Sequence, residues 1–217
     1  NEPDDQITAN NDDSAIASLV VNGTADVSLG GLDTSDGDID GVDIVNNGTG
    51  TLSLTLGGNY QEGDALSFTG GATEVTIDNP FVDLSDDDIT AVTQLTINDG
   101  ATVQLSQAQF NALGGANILD GETNGAAALI IDEVGSAPFD ATSVDPDISL
   151  TVVLEDEDVT LNGDFSGVDQ IQVQEGTTLT MTAEQFMQLD GAGTIVVVDT
   201  NGDTVTAPIE LVITGLT

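Results

Sequence analysis

The stretch VTQLTINDGATVQLSQAQFNAL, Val92 to Leu113, returns without a gap 76 residues later as VDQIQVQEGTTLTMTAEQFMQL, Val168 to Leu189. Valine, glycine, threonine, glutamine, phenylalanine and leucine recur at matching places, and Gly115-Ala116 answers to Gly191-Ala192. A partial third copy runs from Ile39 to Val45 and on through Gly48 to Leu54. Internal repetition constrains a fold more tightly than any single motif. Each copy opens on a strand with apolar positions Val92, Leu95 and Ile97 and turns at Asn98-Asp99-Gly100. A second strand follows, carrying Val103 and Leu105. A short helix then begins at Ser106 or Thr182, N-cap residues with Gln109 or Gln185 three positions on, the spacing of a capping box. Phe110 with Leu113, and Phe186 with Leu189, share one helical face that docks the helix. Gly114 and Asp190-Gly191 end it.

A looser pattern runs outward from these copies. Apolar–x–apolar followed by a polar residue occurs at Leu19-Val21-Asn22, Val75-Ile77-Asp78, Leu95-Ile97-Asn98 and Leu129-Ile131-Asp132. It continues at Val152-Leu154-Glu155, Ile171-Val173-Gln174 and Val196-Val198-Asp199. Spacings of about 20–35 residues suit the coils of a solenoid. The fold class expected is all-β: a parallel β-solenoid with two short inserted helices, apolar pairs inside and polar residues stacked in an external ladder. A β-sandwich is the rival, because Asn-Gly and Asn-Asp-Gly turns also suit hairpins. Residues 1–15 read as a flexible acidic arm, and 16–217 as the repetitive domain with a sub-boundary near 135–147. The start at Asn1, with no signal-peptide pattern, reads as a processed form or a fragment.

The 217 residues hold 39 Asp and Glu and no Lys, Arg, His or Cys, for a formal charge of −39. An ordinary chain of this length carries roughly two dozen basic residues. Hydrophobic residues still make up 39%, so a core is affordable, built from Val, Ile, Leu and Ala because aromatics are only 3%. Triads, thiol nucleophiles, Schiff bases and zinc hydrolysis all need residue types that are missing. A carboxylate pair remains, but there is no Asp-Thr-Gly or Asp-Ser-Gly signature, no Trp and only Tyr60 to stack on a sugar. The expectation is therefore a protein that is not an enzyme. Nucleic acid and anionic lipid would be repelled, and no apolar run approaches the length of a membrane span.

The unit Gly176-Thr-Thr-Leu-Thr-Met-Thr-Ala-Glu-Gln185 resembles repeats of large secreted bacterial surface proteins, adhesins and surface-layer proteins. Many of these are exported by type I systems and depend on Ca²⁺. The resemblance covers Ile89–Ala116 and Phe165–Ala192. It departs from the repeats-in-toxin nonapeptide, since Gly114-Gly115-Ala116-Asn117-Ile118-Leu119 lacks the third Gly and the Asp. The ligand ladder of that family is therefore not carried over.

Carboxylate clusters supply the candidate Ca²⁺ ligands. Asp36, Asp38 and Asp40 form a D-x-D-x-D-G opening in Asp36-Gly37-Asp38-Ile39-Asp40-Gly41, where alternating carboxylates converge on one ion. The twelfth position is Asn47 and not Glu, which argues against an EF-hand. Asp199, Asn201 and Asp203 make a second candidate, which also reads as a hairpin turn at Asn201-Gly202. Asp83, Asp86 and Asp88, and then Asp156 and Asp158, concentrate like charge that a cation would relieve. Transition metals lack imidazole and thiolate ligands here. Asn22 and Asn47 open glycosylation sequons.

With disulfides and Lys–Asn cross-links impossible, assembly must rest on ion bridges, apolar burial or shared strands. The expectation is an extracellular structural subunit that polymerises head to tail with copies of itself, Ca²⁺ neutralising its carboxylates and a terminal strand completing the next sheet. The alternative is a Ca²⁺-dependent adhesin module that binds a glycan or a protein.

Overall fold

Strand pairing is parallel at every named ladder except the first, and the partners stand in register. The computed structural model describes residues 6–12, 15–32, 42–57, 66–122, 126–155, 158–189, 194–199 and 203–215. They wind into a parallel β-solenoid of about six turns. The sandwich rival is set aside, because hairpins would give antiparallel ladders and parallel ones need a crossover between coils.

The first strands are β1 (Gln6–Asp12), β2 (Ala15–Asn22), β3 (Val27–Leu32), β4 (Val42–Asn46) and β5 (Leu52–Leu56). Next come β6 (Leu66–Gly70), β7 (Thr73–Ile77), β8 (Val82–Asp83), β9 (Val92–Ile97) and β10 (Thr102–Ser106). Helix α1 (Gln107–Leu113) precedes β11 (Ile118–Asp120), β12 (Ala128–Asp132) and β13 (Phe139–Asp140). Then follow β14 (Ser149–Leu154), β15 (Asp158–Thr160), β16 (Gly163–Asp164), β17 (Gln170–Gln174) and β18 (Thr178–Thr182). Helix α2 (Ala183–Leu189), β19 (Thr194–Val198) and β20 (Glu210–Thr214) complete the described chain.

Three long stacks form the walls. One sheet runs β1-β2-β4-β6, a second β11-β9-β7-β5-β3, and a third β19-β17-β14-β12-β10-β8. Two smaller ones, β13-β16 and β15-β18-β20, take over later in the chain. Corresponding strands of the two repeat copies lie on different walls: β9 is in the second sheet and its counterpart β17 in the third, the sheet that also holds β10. The repeat period therefore spans whole coils plus one side.

Register stacks apolar on apolar. Leu105, Ile131, Val152, Ile171 and Ile195 form one column of the third sheet, and Val82, Val103, Leu129 and Leu150 another. Strands about 4.8 Å apart keep such columns in contact, and each buried Leu, Ile or Val contributes roughly 1.5–3 kcal/mol. Phe110, Phe139 and Phe165 stack inside with ring centroids 5.0 and 5.1 Å apart. One continuous core runs from Val21 to Leu189. Phe139 and Ala141 belong to it, so the proposed sub-boundary near 135–147 is no gap in packing. It does lie between β11, the last strand of the second sheet, and β15, the first of the β15-β18-β20 sheet.

Three details differ from the sequence expectation. Residues Gln6–Asp12, inside the stretch read as an arm, form β1 and pair antiparallel with β2. That pairing satisfies the outer backbone edge of β2, which an arm would leave open. Val92 and Leu95 are three apart because Thr93 bulges where β9 meets β7. In β19, Ile195 and Val197 align with Ile171 and Val173, whereas of the pair expected inside, Val196 and Val198, only Val198 is buried. A run of four apolar residues carries no alternation to fix its phase.

Both helices start as expected. The Ser106 hydroxyl accepts from the Gln109 amide, and the Gln109 side chain accepts from the Ser106 N–H at 2.8 Å. Thr182 and Gln185 repeat the exchange at 2.9 and 3.2 Å. Each Gln also donates its amide to the preceding coil, Gln109 to Leu84 O and Asp87 O, and Gln185 to Leu161 O and Gly163 O.

Candidate functional site

Aspartate is the corner residue of this solenoid. Asp83, Asp88, Asp120, Asp140, Asp145 and Asp164 each accept, through Oδ1, the backbone N–H two residues on. These closures are Asx turns, available to Asp because its short side chain reaches its own backbone. Other aspartates reach across coils: Asp87 accepts from Leu66 N, Asp169 from Leu150 N and Asp26 from Thr51 N, at 2.8, 2.9 and 2.8 Å. Each coil thus spends carboxylates on N–H groups that its corners leave outside the ladders. Asp140 shows the electrostatic consequence: the Thr142 hydroxyl and N–H hold its carboxyl below the ordinary range.

The sequence candidates meet this pattern unevenly. Asp36, Asp38, Asp40, Asp156 and Asn201 lie outside the described residues. Asp83 directs Oδ1 to the Ser85 hydroxyl and N–H at 2.6 and 2.9 Å, and Asp88 directs its own to Thr90 N at 3.1 Å. Asp86 and Asp158 are exposed. Asp199 Oδ1 accepts from Asp203 N at 3.0 Å, and an antiparallel bridge joins Val198 to Thr204. Among the described residues no three carboxylates are placed to hold one ion. Asp83, Asp88, Asp199 and Asp203 thus take part in turns, while Asp86 and Asp158 face solvent.

The external ladder does form in places. Asn98 donates to Asp78 at 3.3 Å on the next coil. Asn47 donates to Asn22 at 3.3 Å, so the two sequon asparagines stack at one corner. Asn46 beside them is buried, donating to Gly50 O and Ala72 O and accepting from Gly48 N.

One carboxyl stands apart. Asp132, expected as an external ladder residue, is only 6% exposed at the end of β12. Its Oδ2 accepts from Gln104 Nε2 at 2.7 Å, while its buried Oδ1 has no hydrogen-bond partner. Burial pushes the carboxyl up to about 6 against the Gln104 hydrogen bond, with Glu155, Glu133 and Asp83 adding repulsion. The backbone turns sharply straight after it, at Glu133 with φ 52°. The one sequence signal was position: Asp132 follows the apolar run Ala126–Ile131 directly.

A groove of about 240 Å³ opens between α1 and the entry to β9, lined by Ile89, Val92, Ala108, Ala112 and Leu113 with Asp87 and Asp88 beside them. It falls short of the roughly 300 Å³ at which small-molecule pockets begin. No helix among the described residues is long and apolar enough to cross a membrane. No protein-family model, no curated protein and no solved structure matches the chain.

Proposed function

We propose that the chain is a structural subunit of an extracellular filament or surface layer, assembled end to end with Ca²⁺ neutralising its carboxylates. The observation that carries this reading is the pairing of strand edges that stand unpaired among the described residues with an uncompensated charge. β3 and β20 are outermost in their sheets among the described residues, and an unpaired edge is a template for another strand. A contact between two different ends does not close on itself and so propagates. The charge of −39, with no basic residue to offset it, opposes that contact until cations screen it. Ca²⁺ suits the task because it accepts many oxygen ligands in flexible geometry. The composition and the strand–turn–strand–helix repeat agree with a secreted surface protein.

The test is direct. Protein concentrated with CaCl₂ is imaged by electron microscopy before and after addition of a chelator at low ionic strength. Ordered polymers that dissolve on chelation are the expected result. Polymers that persist without divalent ions defeat the role of Ca²⁺, and monomers throughout defeat the filament in favour of an adhesin module.

A further inference from the structure

The two copies of the repeat differ in what covers their helices, and the difference marks a docking surface. On α1, Phe110 is buried beneath Phe139 of β13, 5.0 Å away. Gln107 donates to Ala137 O and Pro138 O and accepts from Gly135 N, while Asn111 donates to Pro138 O. The next coil thus lies across α1, held by one aromatic and two amides.

The corresponding residues of α2 are Ala183, Phe186 and Met187. Both amides have become apolar, Phe186 is 42% exposed and Met187 65%. Helix α2 meets β20 as α1 meets β12, but no counterpart of β13 lies against it among the described residues. Leu211 of β20 is 39% exposed although it stands in register with the buried Leu179. A solenoid face that meets water is normally polar. Here the change from Asn111 to Met187 runs the other way, toward a surface that excludes water.

We infer that the face formed by Phe186, Met187 and Leu211, with the edge of β20 that is unpaired among the described residues, is a docking site for a second copy of this chain. The occupant is argued from the chain itself: what this repeat's helix carries in its other copy is a coil of the same solenoid. The first coils offer one, since β3 is outermost in its sheet among the described residues and Val27 and Leu29 are only partly buried there. Successive coils run parallel, so a second copy stacked with the same polarity continues the ladder. This inference rests on the self-assembly proposed above and gives it a surface.

The test compares wild type (residues 1–217), the double variant F186S/M187Q and the control F81S by sedimentation velocity. Phe81 is 37% exposed beside β8, away from that face, and reports general stickiness. The runs use about 1 M NaCl with a chelator, where the screening length falls to about 3 Å, and are repeated in CaCl₂ at low ionic strength. Matching circular dichroism establishes that the variants fold. Wild type and F81S are expected to associate, with F186S/M187Q weakened about tenfold or more, the loss typical of a buried anchor. The inference is overturned if wild type stays monomeric in both media, if F186S/M187Q associates like wild type, or if F81S weakens association equally. Salt-driven association that needs Phe186 and Met187 but not Ca²⁺ keeps this surface and removes the ion from the proposed function. Ca²⁺-dependent polymers indifferent to the double variant do the reverse.

Discussion

Asp132 binds its last proton far more readily in the folded chain than a solvated aspartate does, because burial penalises its charged form. Its folded value of about 6 lies above the ordinary 3.8, so between those limits the native state holds more protons than the unfolded one. Stability from this group is therefore full below about pH 4 and lost as pH rises through 6. Asp132→Asn keeps an oxygen for Gln104 and removes the charge. Thermal or urea unfolding should find the variant about 1–3 kcal/mol more stable than wild type at pH 7. The advantage should vanish near pH 4, and a gain constant across pH would refute the assignment. Gly163 makes the opposite case for a side chain that must be absent. Its φ is 132°, and a Cβ there would collide with the Phe139 carbonyl oxygen of the coil below. Gly163→Ala should lose about 2–4 kcal/mol by urea melts, through both the backbone penalty and the displaced β13-β16 contact.

At the scale of elements, the helices are held more by one glutamine each than by their own hydrogen bonds, since seven residues are too few to be stable alone. Gln109 closes the capping box and also donates to Leu84 O and Asp87 O at 2.6 and 2.8 Å. Ser106→Ala removes one cap and should cost about 1 kcal/mol. Gln109→Ala also leaves two carbonyls without that donor and should cost about 2–3 kcal/mol. Gln109→Glu should not restore the loss, because a carboxylate cannot donate; equal stability of Gln109→Glu and wild type would show that only the box matters. The capping boxes were legible because local spacing determines them. The docking phenylalanine was legible for Phe110, which is buried, and not for Phe186, expected to dock its helix but left exposed because no strand like β13 lies over it among the described residues. The apolar columns were legible where Val, Leu and Ile alternate with polar residues. The phase of Ile195–Val198 was not, because a continuous apolar run offers both faces equally. Strand β1 escaped notice because its partner sits in the same first coil and its role is set by backbone edges. The burial of Asp132 was hidden for a similar reason: it depends on neighbours from other coils, such as Gln104, 28 residues earlier, and not on local spacing.

The whole molecule sets its in-register columns against its charge. Stacking identical corners one coil apart brings acidic side chains repeatedly to the same edges, and repulsion within one Debye length grows with every coil added. Asx turns draw some of those side chains onto backbone N–H groups without adding any positive charge. Raising NaCl should therefore raise the melting temperature steeply from low ionic strength and level off as screening becomes complete. The informative comparison is CaCl₂ at matched ionic strength. If the ion acts only as atmosphere, the two melting curves differ little. Coordination by carboxylates of adjacent coils, or by Asp36, Asp38 and Asp40, would instead favour the native state over the unfolded and stabilise it by mass action. The expected outcome is a further rise of several degrees in CaCl₂ that MgCl₂ does not match, because Mg²⁺ dehydrates reluctantly and demands stricter geometry. Coincident melts in the three salts would leave the stack screened by any cation, and Ca²⁺ would lose its place in the assembly.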